Sequence, residues 1–432
     1  MKPDPKATSP THKPGGPRAV VIGSGFGGLA AAVRLAARGW QVLVLERQDQ
    51  PGGRARVFQQ DGLTFDAGPT LITAPFMFEE LWTLAGKNMA DFVDMRAVSP
   101  FFRIRFPDGD SFEYTGGPAR MRAEVARIAP DDVAGYERFM EMSERLFALG
   151  FERLSDAPFG SWRDMLRIVP DMIRLDGFSS VYGMVSRFVK NERLRQVLSF
   201  HPLLLGGNPF TTSSIYSLVP HLERKWGVHF PIGGIGALVR GLVDLLTGLG
   251  GAIRYRATVE EILVADGRTT GVRLSSGECI PADIVVSNGD SAHTYRHLVG
   301  SEHRHRWTDR RLAGARYSMS LFVWYFGTSR TYPGVDHHTI MLGPRYRELL
   351  ADIFDRAHLA EDFSLYLHRP TATDPGLAPE GHDAFYVLSP VPHLGADVDW
   401  GHAAEGYRAK IEAHLARTIL PELPGHIVTS RV

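Results

Sequence analysis

The chain has 432 residues and a single cysteine, Cys279. An intrachain disulfide is therefore impossible and a cysteine-rich metal cluster is excluded, which fits a reducing cytoplasm. An excess of either charge is also missing: 48 Lys+Arg stand against 48 Asp+Glu, a formal net charge of zero. Without a basic face nothing attracts a polyanion, and no nucleic-acid partner is expected. No run of about eighteen apolar residues is present, so no membrane span is expected, while attachment to a membrane surface stays open. Residues 1–17, MKPDPKATSPTHKPGGP, have no apolar stretch of the kind a signal peptide needs; they read as a disordered tail. The remainder, 44% hydrophobic and 22% charged overall, has an ordinary globular composition and enough length for two or three domains.

What is present is glycine in a telling place. Arg18–Gly23 and Gln41–Glu46 read as apolar strands on either side of a helix from about Phe26 to Arg38, which Gly39 stops. Gly23-Ser24-Gly25-Phe26-Gly27-Gly28 is G-x-G-x-x-G at the strand-to-helix turn. The first Gly permits the turn and the second a close approach of backbone to a pyrophosphate. The third lets the helix pack against the strand. Glu46 ends the second strand, placed for a ribose hydroxyl, and its charge argues against a 2′-phosphate. Gly52-Gly53-Arg54 follows, a second close approach with a cation to offset phosphate charge. A plain NAD dehydrogenase has no use for it, whereas the larger FAD has. Phe65–Thr70, FDAGPT, extends the idea: Asp66 ends a strand, and Gly68-Pro69-Thr70 is expected near a flavin ring. Gly23, Ser24, Gly25, Gly28, Glu46, Arg47, Gly53, Arg54 and Gly68 are the candidate FAD contacts.

Further along, FFRIRFPDGDSFEY (101–114) reads as two strands joined at Pro-Asp-Gly. From about Asp131 to Glu192 the periodicity is helical. Gly233–Gly236 leads into a helix through about Leu249, then four or five short strands follow up to Asn288. Finally SMSLFVWYFG, HHTIML, FSLYLH and AFYVLS suggest an antiparallel sheet, with a helix near 345–360. The expected fold class is α/β: a Rossmann-type FAD-binding domain from discontinuous segments (18–80 and 230–300) and a substrate domain with an antiparallel sheet (81–130 and 301–432). Residues 131–229 form a helical, membrane-facing part.

The runs GSGFGGL, ERxxxxGGRA and FDAGPT resemble the FAD-binding pattern of amine-oxidase-like flavoproteins. Residues 199–243, SFHPLLLGGNPFTTSSIYSLVPHLERKWGVHFPIGGIGALVRGLV, are similar to the signature of bacterial phytoene desaturases, as are 337–350, 362–381 and 385–395. The resemblance runs from about residue 18 to the end. It implies an FAD-dependent enzyme that removes hydrogens stepwise from the lipophilic polyene phytoene to give neurosporene- or lycopene-type products. It also implies peripheral attachment to the cytoplasmic face of the inner membrane, a quinone as one possible electron acceptor, and the Val259 backbone against the adenine. Gly289 stands where the family usually has Ala. The family closes its FAD site with a C-terminal glycine-rich segment, and the chain stops at ELPGHIVTSRV, so a truncated chain is expected. An inactive fragment, or a desaturase of hydroxylated or methoxylated intermediates, are the alternatives.

A hydrocarbon offers no polar handle, so few catalytic side chains are expected. Asp164 and Arg167, three apart on a helix, are the weak acid–base candidates, against a plain surface pair. His201 reads as a core histidine. His337-His338 reads as a strand-edge pair, and no metal is expected. Residues 163–190 either lie in a membrane interface or pack as an amphipathic core helix.

Overall fold

The computed structural model describes residues 16–154 and 162–432, and the side chains from 166 onward in the second span. Most of the expected tail lies outside the described residues. Strand β1 (Arg18–Ile22), helix α1 (Phe26–Ala37) and β2 (Gln41–Leu45) open the chain. Leu29, Ala32, Val33 and Ala36 line the buried stripe of α1, the i, i+3, i+4, i+7 spacing of a helix packed on one face. Gly39 closes it with φ +84°, a conformation that costs glycine nothing. Two later segments complete this sheet: β3 (Ala252–Arg254), after helix α2 (Ile235–Gly248), and β4 (Ile284–Ser287). The order is β4-β1-β2-β3 and every pair is parallel. Such strands are covered on both faces and so read as nearly unbroken apolar runs. α1, α2 and Trp82 share one core with β1 and β2.

Between β3 and β4 lies an antiparallel sheet of Val259–Ala265, Arg268–Leu274 and Cys279–Pro281. Asp266 and Gly267, at φ +51° and +73°, make its first turn, as the Asp-Gly pair indicated. The larger sheet has seven strands, in the order Ile427–Arg431, Ser320–Thr328, Asp383–Val391, Leu365–His368, His338–Met341, Phe102–Arg105, Ser111–Tyr114. The four runs expected as an antiparallel sheet do pair antiparallel, and the 102–114 hairpin joins them through one parallel pair, His338–Met341 with Phe102–Arg105. The hairpin at 102–114 extends this sheet, and its Phe102 and Phe112 pack with Phe139, Val185, Leu194 and Phe200 from the helical section. Among the described residues no helix is long and apolar enough to cross a membrane.

Candidate functional site

The glycine turn is built as its sequence requires. Gly23 has φ +89°, and its N–H donates to the Leu45 carbonyl at 2.8 Å, joining the ends of β1 and β2. A Cβ at Gly28 would stand 2.0 Å from the Gly23 carbonyl oxygen, so only glycine lets α1 approach β1 this closely. At Gly25 and Gly27 a Cβ would meet the Asn288 carboxamide instead, at 2.8 and 2.5 Å. Asn288 follows β4, and its N–H donates to the Ile22 carbonyl at 2.9 Å. Sequence reasoning passed over Asn288, although the end of a parallel strand beside the first one is where an α/β sheet places ligand contacts.

Glu46 is buried, 4% exposed. Its Oε2 accepts from the Ser24 N–H at 2.9 Å and the Ser24 hydroxyl at 2.7 Å, and its Oε1 from the Gln48 N–H at 2.9 Å. A carboxylate has about four lone-pair sites, so one remains for a further donor. The Glu46 carbonyl also accepts from Ala257 N–H at 2.8 Å. That contact sets Val259 in the same small core as Leu45 and Ala257, beside the end of β2. Gly52 forms a parallel bridge with Gly25. A Cβ at Gly68 would fall 1.9 Å from the Arg54 carbonyl oxygen. The three glycine-rich runs are therefore layered on one another, with Arg47, Gly53 and Arg54 exposed at the surface of the stack.

Beyond Gly68 the same loop enters the interior. Asp66 Oδ2 accepts from the Ile235 N–H at 3.0 Å, at the start of α2. Burial pushes its pKa up to about 6, against the smaller lowering effect of the helix N–H groups and Arg240. Thr70 Oγ1 lies 2.6 Å from the Tyr366 hydroxyl, which lies 2.7 Å from His338 Nδ1. His337, His338 and His368 gather there, all buried. Burial pushes His337 down to about 3, and His338 and His368 also well below the usual histidine range, so all three rings are neutral.

The strand-edge reading of His337-His338 is thus corrected. The His338–Met341 strand is interior, with neighbours on both sides. His201 is a core residue, 2% exposed, with Nε2 3.1 Å from Glu223 Oε2. Arg167 is exposed on the Trp162–Arg174 helix. The side chain of Asp164, its expected partner, lies outside the described residues.

These residues fit a dinucleotide. No side chain caps the N-terminus of the twelve-residue α1, so its first N–H groups face outward and attract an anion. The glycines leave the backbone bare beside it, and Glu46 keeps a free acceptor site.

Residues 26–420 match the family described as flavin containing amine oxidoreductase. The lycopene-forming phytoene desaturase of Pseudescherichia vulneris is 50% identical over 418 residues, 96% of this chain and 85% of that protein. The neurosporene-forming phytoene desaturase of Rhodobacter capsulatus is 47% identical over 410 residues, 94% of this chain and 78% of that protein. Among solved structures, putrescine oxidase bound to putrescine superposes with a TM-score of 0.64 at 15% identity, covering 96% of this chain and 84% of that one. An oxidoreductase from Methanosarcina mazei gives 0.61 at 18%, covering 96% and 87%; both share the fold. The chain belongs to the flavin-containing amine oxidoreductases and, within them, to the phytoene desaturases. It is an FAD-dependent oxidoreductase.

Proposed function

We propose that this protein desaturates phytoene in carotenoid biosynthesis, with lycopene- or neurosporene-type products. The observation that carries the reading is the identity of about half to phytoene desaturases along nearly the whole chain, joined to a glycine stack shaped for FAD. Bound FAD supplies the hydride acceptor. The chain's own residues would hold it: the first turn of α1 would take the pyrophosphate over Gly23, Ser24, Gly25 and Gly28, and Glu46 would accept from a ribose hydroxyl. The Val259 backbone would meet the adenine, and Arg54, with Arg47, would offset phosphate charge where Gly53 and Gly68 keep the backbone close. The interior beyond Thr70 contributes the rings of Phe230 and Tyr366, apolar surface of the kind a hydrocarbon substrate packs against.

A lipophilic substrate is met in a bilayer. Leu166 and Ile173, seven apart on the Trp162–Arg174 helix, are 56% and 66% exposed, and Phe178 and Leu205 70% and 63%; Arg167 and Arg174, next in sequence to the first two, are exposed as well. Apolar tips flanked by arginine suit the interface of a membrane with anionic lipids. This face is the docking surface in our reading, on the cytoplasmic side of the inner membrane, and a quinone in the same bilayer is the acceptor it would serve. The test is co-expression with a phytoene-producing pathway and pigment analysis. Coloured neurosporene or lycopene is the expected result; unchanged phytoene from cells holding FAD-loaded protein would overturn the substrate assignment.

A further inference from the structure

We propose that His337, His338 and His368 form a site for a divalent transition-metal ion of the zinc class. One ring nitrogen from each lies within 4.8 Å of the other two. His338 and His368 are direct partners across adjacent antiparallel strands, where side chains share a face. His337 sits just before its strand, outside the pleat's alternation, with its carbonyl accepting from the Arg369 N–H at 2.9 Å. The rings have almost no exposure, yet His337 Nε2, His338 Nε2 and both nitrogens of His368 have no hydrogen-bond partner. A buried polar atom left without a partner is costly, so nitrogens of three such rings within 4.8 Å of one another call for an occupant.

Two features favour a metal as that occupant. First, the outer nitrogens are held. His337 Nδ1 lies 2.6 Å from Thr373 Oγ1, and His338 Nδ1 2.7 Å from the Tyr366 hydroxyl. Hydroxyls at Nδ1 leave each Nε2 for the interior, the support that metal-ligating imidazoles ordinarily have. Secondly, the rings converge: the centroids of His337 and His368 lie 4.8 Å apart and those of His338 and His368 5.2 Å apart, so one small ion can reach all three. Three imidazoles and no carboxylate select a zinc-like ion over magnesium or calcium. The nearby Arg369 is paired with Asp383 at 3.1 Å, which offsets its charge. Zinc–nitrogen bonds of about 2.0–2.1 Å set tetrahedral donors roughly 3.4 Å apart, so the rings close on the ion by about an ångström. A bridging water fits the same nitrogens without closure, and the experiment separates the two. The ion's role is a tie between two strands beside the Thr70 loop, since a hydrocarbon offers a Lewis acid nothing to polarise.

Full-length protein is purified from zinc-supplemented cells, passed over a chelating resin and assayed for metal by mass spectrometry. Close to one equivalent per chain is expected. His368→Asn is expected to lose it and the exposed-site control His382→Asn to keep it. Tyr366→Phe and Thr373→Val, which leave all three ligands in place, are expected to weaken retention by about tenfold or more. They keep the test open should His368→Asn fail to fold. Wild-type protein without stoichiometric metal would overturn the proposal in favour of water, and so would equal metal in folded His368→Asn and wild type.

Discussion

A methyl group added at Gly28 and one added at Gly25 meet different obstacles. At Gly28 it meets the Gly23 carbonyl, fixed backbone, at 2.0 Å, whereas at Gly25 it meets the end of the Asn288 side chain at 2.8 Å. Gly28→Ala is therefore expected to lower stability by about 2 kcal/mol or more through forced separation of α1 from β1. Gly25→Ala is expected to leave the melting temperature of the apoprotein nearly unchanged and to abolish FAD retention, because the methyl stands where backbone must approach phosphate. Apoprotein melting curves and the flavin absorbance of purified protein check both; equal melting losses would refute the distinction. Asp66 gives a pH signature. Its folded pKa of about 6 lies above the ordinary aspartate value of 3.8, so the folded state binds the proton more tightly. Its contribution is full below pH 3.8 and is lost as pH rises to about 6. Between pH 5 and 7.5 the loss is about 1.4 kcal/mol. Asp66→Asn keeps an acceptor for the Ile235 N–H and should flatten the urea-melt difference between these pH values by roughly that amount; an unchanged slope would sink the assignment.

At the scale of elements, what was legible and what was not follows from the range of the interactions. The βαβ opening, the hairpin at 102–114 and the Asp266-Gly267 turn are fixed by neighbours in sequence, and their residues announced them. Strand order is fixed by pairing across longer separations, 30 residues for His338 and His368 and 236 for Thr339 and Arg103. HHTIML shows a strand but not that Leu365–His368 and Phe102–Arg105 flank it, so His337-His338 read as an edge and His368 was not seen as their neighbour. Glu46 and the glycines were legible because the motif is local, while Asn288 was missed because it reaches the turn from β4. The segment 163–190 divides in the structure. Val181, Tyr182, Met184 and Val185 are buried, but Ile173 and Phe178 stand out by 66% and 70%. Ile173→Asp with Phe178→Asp should leave the melting temperature within about a degree, as surface changes do, and should sharply reduce flotation with vesicles containing anionic lipid. Full flotation by the double variant would remove this face from the proposed docking surface.

For the whole molecule, the path of the chain matters more than any one contact. It builds β1 and β2, crosses to place Phe102–Arg105 and Ser111–Tyr114 in the seven-stranded sheet, returns for β3 and β4, and crosses again for the remaining strands. Neither sheet is complete until chain from both sides of these crossings is in place. The aromatic core at 102–114 further joins the seven-stranded sheet to the helical section. Unfolding one sheet thus strips partners from the other, and FAD bound at the four-stranded sheet should stabilise the molecule as one unit. At a hundred times its dissociation constant FAD adds about 2.7 kcal/mol, and for a chain of this length that raises the melting temperature by about 3 °C. Two buried tryptophans report on the two sides: Trp82 packs with α1 and α2, and Trp324 lies in the seven-stranded sheet. In two variants that each keep one of these and carry Phe at the other six tryptophans, the protein should melt in a single transition that FAD shifts equally whichever tryptophan is left. Two transitions, with FAD moving only the one reported by Trp82, would mean that the crossings do not couple the sheets.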